Sequence, residues 1–425
     1  MESVKPEITH TFTCRVCKLP VSVGPNHRSC QFWVAHCENC GVLVKERLPA
    51  ITKKIIYLDQ FVLSHILAEK EQRWQQVYER LRLLNYLQVI VCPYSEIHED
   101  ESLAAEQSRA ELKELYRELS HGVRFASIDS IQQTQLLRSL QKFLDQKEDE
   151  RRYSDFCDED PNRWELDSQV YADFPTSPHS VSGLQGDKEH LQQVLDTEAE
   201  LWRQEDGRKF KDDARREALE YGRALMTVYR ELDEDHRQVQ SMLPEALADV
   251  YRQCTGAGRF DPNIPPSTKP GALLVHEMVC EVRKVRPDET DPAAIVEEFL
   301  CSDEVIERTP FLVILSRLWA GVTVDSRNPT GQRNPDASDQ NDIRCIAHFA
   351  QYCDAMVVDN YFRGLATQGN VRVGKDFKVE LFSPWSLRKF EDYLDELLHN
   401  MPQDHRMAVK KVMPHLSQLP ILDTD

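Results

Sequence analysis

Apolar positions recur along this chain in two rhythms, short continuous runs and longer stretches of helical period. Ile55-Ile56-Tyr57-Leu58 predicts a strand over 53–58, leading into a helix from about Phe61 to Leu84. Gln88–Cys92 predicts a second strand, stopped by Pro93 and followed by a helix over Ser95–Leu119. Strand–helix–strand–helix order is the mark of a parallel α/β sheet. Helical spacing returns over Phe125–Leu144, Leu191–Glu205, Lys211–Cys254, Ala272–Val285, Ala293–Leu300 and Pro310–Ala320. Gln146–Asp187 is rich in acids, Ser and Pro and reads as an exposed, mobile insertion. Gly256–Gly271 and Thr323–Ser338 read as loops. A helix ending near Cys353, a strand over Ala355–Val358, a strand over Val379–Phe382 and a helix from Ser383-Pro384 to about His399 complete the pattern.

The first fifty residues follow another logic. Cys14-x2-Cys17 and Cys37-x2-Cys40 are separated by nineteen residues, the spacing of a four-cysteine zinc ribbon. Each Cys-x-x-Cys turn presents two thiolates, and two turns complete a tetrahedron with no open position, so the expected zinc is structural. So small a module has little core, and metal binding would supply its folding energy. Cys30, His27 and His36 are substitutes that the paired turns do not need.

Composition narrows the function classes. The chain has 425 residues and a formal charge of −19, which argues against a broad basic surface for nucleic acid. The charge is uneven: residues 1–58 carry 8 Lys and Arg against 4 Asp and Glu, the remainder 44 against 67. Arg15, Lys18, Arg28, Lys45 and Arg47 make the ribbon the natural place for a polyanion, or else the module only docks on the main domain. No apolar run approaches the roughly 20 residues of a membrane span. No apolar signal region opens the sequence, so a cytoplasmic protein with reduced cysteines is expected.

The candidate chemistry is acidic. Asp59 ends the first strand, Glu96 and Glu101 follow the second, Asp339 and Asp342 open a helix, and Asp359 ends the strand after it. Taken singly, such residues cap helices. Asp342-x16-Asp359 spans one helix and one strand, which returns both acids to one edge of the sheet. Ligands of open α/β sheets bind at that edge, outside the carboxyl ends of the strands. Carboxylates gathered there repel unless a hard cation such as Mg²⁺ sits among them. Arg327, Arg333 and Arg344 are candidate phosphate helpers, and His98 is either a proton shuttle or a structural histidine. Trp33, Trp319 and Tyr352 read as core residues. Neither a phosphate-binding Gly-Lys-Ser/Thr loop nor a Gly-x-Ser-x-Gly elbow is present.

These residues give the chain a resemblance to the PIN-like nuclease superfamily. It rests on Ile56-Tyr57-Leu58-Asp59-Gln60, on the segment Val91–Glu101, and on Ser338-Asp339-x2-Asp342 continuing to Met356-Val357-Val358-Asp359. It covers roughly residues 53–120 and 305–400. The resemblance implies an α/β fold in which acids bind Mg²⁺ or Mn²⁺ and cleave single-stranded RNA. Asp59, Asp342 and Asp359 would be metal ligands, with either Glu96 or Glu101 as a fourth and Asp339 an accessory ligand or a helix cap. The expected organisation is a zinc ribbon over 1–50, PIN-like segments over 51–124 and 305–400, a helical insertion over 125–304, and a tail over 401–425. The expected partner is single-stranded RNA, together with a regulatory protein or further copies of the chain. A DNA nuclease and a catalytically silent binding module are the competing readings.

Overall fold

The computed structural model describes residues 10–23, 31–68, 72–104, 108–145, 152–165, 181–204, 209–242, 270–327 and 333–423. Two antiparallel hairpins come first, β1 (His10–Thr13) with β2 (Pro20–Val23) and β3 (Phe32–His36) with β4 (Leu43–Arg47). Phe12, Val21, Val23, Trp33 and Val44 bury their inner faces in a core continuous with that of the main sheet.

The main sheet has four parallel strands in the order β6-β5-β7-β8: β5 is Lys54–Leu58, β6 Ile90–Val91, β7 Ala355–Val357 and β8 Glu380–Phe382. Side chains alternate between two buried faces, as a parallel sheet covered on both sides requires. Ile56, Leu58, Ile90, Ala355, Val357 and Phe382 join one core, and Ile55, Tyr57, Val91, Met356, Val358 and Leu381 join the other. The helices leading from β5 to β6, Gln60–Leu67 and Gln72–Tyr86, pack on the first face through Val62, Leu63, Trp74 and Leu81. The helix leading from β7 to β8, Asn360–Thr367, packs on the second through Phe362 and Leu365. The chain therefore departs to opposite faces from β5 and β7, and the strand order reverses between them. That reversal is the topological switch point.

A third core, of helices alone, contains Leu136, Leu140, Met226, Val275, Met278, Val296, Phe299 and Phe311. Helix Pro310–Arg327 links it to the sheet: Phe311 and Leu312 pack in the helical core, Ile314, Leu318 and Val322 against the sheet. Gly321 lets this helix approach Leu365 closely, since a Cβ there would lie 2.5 Å from Leu365 Cδ1. Among the described residues, no helix is long and apolar enough to cross a membrane.

Several expectations need correction. Residues 152–165 are not an exposed insertion: Phe156, Cys157 and Trp164 are buried, and the Trp164 indole N–H donates to the Pro49 carbonyl at 2.8 Å. Residues 146–151 and 166–180 lie outside the described residues, as do 243–269, which include the expected Gly256–Gly271 loop. The helix expected to stop at Ala320 runs on to Arg327, with Thr323 and Ser326 buried inside it and the Ser326 hydroxyl satisfied by Val322 O at 2.8 Å. The helix expected over Ser95–Leu119 is two helices, Glu96–Ala104 and Arg109–Ser120. The terminal stretch is not a tail. Helix Gln403–Val412 and the turns after it bury Val409, Val412, Met413, Leu416 and Leu422 in the first core, and His405 Nε2 hydrogen-bonds Leu87 O at 3.0 Å.

Candidate metal centres

The cysteine quartet forms within the two hairpins. In each Cys-x-x-Cys turn a backbone amide folds back on the first cysteine, Lys18 N–H on Cys14 O at 3.0 Å and Gly41 N–H on Cys37 O at 2.8 Å. Lys18 and Gly41 both take left-handed backbone conformations, with φ of 64° and 71°. Glycine adopts that region at little cost, whereas lysine carries a Cβ penalty there. The turns bring Cys14 Sγ to 3.6 Å from Cys40 Sγ and Cys17 Sγ to 3.5 Å from Cys37 Sγ. All four sulfurs lie within 4.8 Å of one another, an arrangement able to hold a metal ion. The Leu19 amide draws the Cys17 thiol down to about 6. At Cys40 the Val42 amide acts the same way, but burial and the neighbouring sulfurs outweigh it and raise the thiol to about 11. Arg15 and Lys18 are exposed in the first cysteine turn, Lys45 and Arg47 are exposed on β4 with Arg47 at the end away from the second turn, and His36 is occupied with the Gly41 carbonyl at 3.2 Å. Arg28, His27 and Cys30 lie outside the described residues.

The acids assemble at the carboxyl edge of the sheet. Asp59 directly follows β5, its N–H donating to Val357 O at 3.1 Å across to β7. Its carboxylate also caps the next helix, accepting from Phe61 N–H at 3.3 Å. Asp359 stands two residues beyond β7 and caps helix Asn360–Thr367 through Phe362 N–H at 2.6 Å. These two acids therefore flank the switch point on adjacent strands. Capping and site-building are both true of the same carboxylates.

Helices bring two further acids. Asp342, on helix Ala337–Phe349, lies close enough to Asp59 for the two carboxyls to act on each other's titration. Glu101, on helix Glu96–Ala104, accepts from Asn341 Nδ2 at 3.1 Å, which ties the two helices together. Burial, then the Glu101 charge, raises Asp59 to about 7. Burial, followed by Asp59, Asp359 and Glu101, raises Asp342 to about 10. Burial also raises Asp359, although the Phe362 amide and the Arg333 charge oppose it. Asp59, Glu101, Asp342 and Asp359 each remain partly exposed. Four crowded carboxyls that still meet solvent are an oxygen donor set of the kind a hard divalent cation takes. They are set more openly than the cysteines, since the thiol quartet is the only group of three or more donors so tightly clustered among the described residues.

Glu96 does not join this set. Its carboxylate accepts from Ile128 N–H at 3.1 Å and caps the start of helix Ile128–Phe143. Glu101, one helical turn and a half further on, is the acid that faces Asp59. Asp339 is not the helix cap: Asp336 caps the helix, and Asp339, 1% exposed, completes the capping box by accepting from Asp336 N–H at 2.9 Å. Arg333 grips the Asp339 carboxylate with both terminal nitrogens, at 2.7 and 2.5 Å.

The remaining candidates divide cleanly. The Arg333 guanidinium stacks on the Tyr361 ring at 3.7 Å, and its charge reaches Asp359. Arg327 is turned away, bound to buried Asp213 at 2.7 Å and to Trp202 O at 3.0 Å. The Arg344 carbonyl pairs with His348 Nδ1 at 2.7 Å. His98 is structural. Its Nδ1 accepts from Ser95 N–H at 3.0 Å, so Nε2 carries the proton and donates to Leu58 O at 2.7 Å. Burial lowers it to about 4, which keeps the ring neutral. Trp33 is buried, Trp319 packs against the sheet core and Tyr352 stacks on Phe156 at 4.4 Å. A surface cleft of about 500 Å³ lies among Arg82, Asn85, Tyr86, Glu118 and His121, and none of the site acids lines it. The chain matches no known family model, no curated protein and no solved structure in the comparisons made.

Sequence reasoning missed Trp385, which is 85% exposed in the loop after β8, with its backbone N–H on Asn360 Oδ1 at 3.0 Å. Its position three residues past a predicted strand end was the available signal.

Proposed function

We propose that the chain is a PIN-like, metal-dependent endoribonuclease acting on single-stranded RNA, with a structural zinc in its cysteine quartet. The observation that carries this reading is the gathering of Asp59, Glu101, Asp342 and Asp359 at the switch point of a parallel sheet. These four acids would hold Mg²⁺ or Mn²⁺, which would offset phosphate charge and make a bound water more acidic. The protein's own groups do the positioning. Asp59 and Asp359 are fixed by the strands they end and by the helix amides they accept from, so their oxygens are pre-aimed. Asn341 holds Glu101. Asp339 and the Tyr361 ring hold the Arg333 guanidinium near Asp359, where it can bind a phosphoryl oxygen as charge develops. The partial exposure of all four acids suits a polymer that lies across an edge rather than a small molecule enclosed in a cavity.

The test is cleavage of labelled single-stranded RNA, single-stranded DNA and duplex RNA by purified protein in Mn²⁺ or Mg²⁺, beside Asp342→Asn. The reading expects cleavage of single-stranded RNA, lost by at least about 100-fold in the variant. Cleavage of DNA instead assigns the site to the other polymer. Equal cleavage by both proteins, or no metal-dependent cleavage, removes the proposal.

A further inference from the structure

We infer that Trp385 is a stacking platform for an unpaired base of the substrate, next to the nucleotide whose phosphate meets the carboxylates. The inference rests on the nuclease reading and extends it to how a strand is recognised. Trp385 is the most exposed large hydrophobic side chain among the described residues, at 85%. Its backbone is not loose. The Trp385 N–H is held by Asn360 Oδ1 at 3.0 Å, Ser386 Oγ receives the Ser383 N–H at 2.8 Å, and Leu387 and Phe390 anchor the following helix in the core.

The position matters as much as the exposure. Asn360 is the residue directly after Asp359, so the hydrogen bond fixes Trp385 beside the acid centre at the same carboxyl edge of the sheet. Arg388 and Lys389, both exposed, follow within one turn, although Arg388 also pairs with Glu391 and Asp392. An aromatic ring stacks on any base, because every base offers a π face, and a rigid indole loses little freedom in doing so. A chain with net charge −19 lacks a broad cationic surface for grip. Stacking would supply affinity that charge does not, and would favour unpaired bases over duplex.

The test is fluorescence anisotropy of labelled single-stranded oligoribonucleotides with the full chain, all in an Asp342→Asn background so that the probe survives. One probe carries ordinary bases and the other, of equal length and charge, carries abasic sites. Trp385→Ala is expected to weaken binding of the first probe by roughly 5- to 100-fold, leaving the second unchanged, while Trp385→Phe keeps most of the affinity. The side chain is in solvent, so its removal leaves the fold intact. Unchanged affinity in Trp385→Ala, or an equal loss on both probes, overturns the inference and leaves the residue a contact for something other than a base. The nuclease reading is judged separately by metal-dependent cleavage in the parent protein. Cleavage without a Trp385 effect removes only the platform; a base-specific Trp385 effect without cleavage removes only the nuclease.

Discussion

The cysteine quartet and the acidic centre both collect four donors, by opposite means. The cysteines arrive from two short turns nineteen residues apart, and the packing of two neighbouring hairpins closes them to within 4.8 Å. The acids come from two strand ends and two helices spread over 301 positions from Asp59 to Asp359, and only the completed sheet brings them together. An ion bound at the first would contribute folding energy to a module that has little core of its own. The second is built by a fold that already exists and is strained by its own charge, as the raised Asp59 and Asp342 carboxyls record. Metal should therefore govern structure in one region and chemistry in the other.

Cys37→Ser offers the harshest way to break that comparison. Zinc binding in such modules is worth about 10–16 kcal/mol, so losing a ligand should unfold the hairpins and leave the sheet domain folded. Limited proteolysis reads this as new cleavage within 10–47, and unaltered resistance there would mean the quartet is not a folding site. Next in size is Arg333→Ala, which leaves Asp339 buried without its partner. Breaking a buried pair costs roughly 3–5 kcal/mol, and solvent around Arg333 places the expected loss at or below the low end. Thermal melts and cleavage rates should both fall; a variant with unchanged stability would contradict the bidentate contact.

Glu96→Gln and Glu101→Gln sharpen the contrast inside the acidic region. The first should cost about 1 kcal/mol of stability through the weakened cap on Ile128 and leave cleavage nearly intact. The second should abolish cleavage and leave stability nearly unchanged. The reverse pattern would exchange their roles.

The smallest effect concerns pH. Asp carboxyls titrate near 4 when unfolded, but in the folded chain burial and the neighbouring acids push Asp59 up to about 7 and Asp342 up to about 10. The folded protein then holds more protons than the unfolded one across that window, so its metal-free stability falls as pH rises from about 5 to 9. Asp342→Asn supplies a permanently neutral side chain, removes the cost of keeping the Asp342 carboxyl protonated at high pH, and should raise the metal-free melting temperature at pH 9 by about 2 °C or more. A lower melting temperature would make Asp342 a structural residue.

Much of this arrangement was legible in the sequence because strand ends and Cys-x-x-Cys turns are local signals. The four parallel strands and the acids after β5 and β7 follow from short apolar runs bounded by Asp. What escaped depended on how elements pack. Spacing alone does not say whether Glu96 or Glu101 joins the acids; that is set by the neighbouring helices, which take Glu96 onto Ile128 N–H and Glu101 onto Asn341. Arg327 and Arg333 looked equivalent until the helix ran on to Arg327 and buried its charge against Asp213. The terminal helix was readable, since Val409, Val412, Met413 and Leu416 keep a helical period. The acid-rich segment around Phe156 and Trp164 hid two buried aromatics inside a polar composition.

The central claim is that the carboxyl edge of the sheet holds one divalent cation. Isothermal titration of the zinc-loaded protein with Mn²⁺ tests it most directly. A single saturable site is expected, lost in Asp59→Asn and kept in Glu96→Gln. No saturable binding in the parent, or binding untouched by Asp59→Asn, would contradict it.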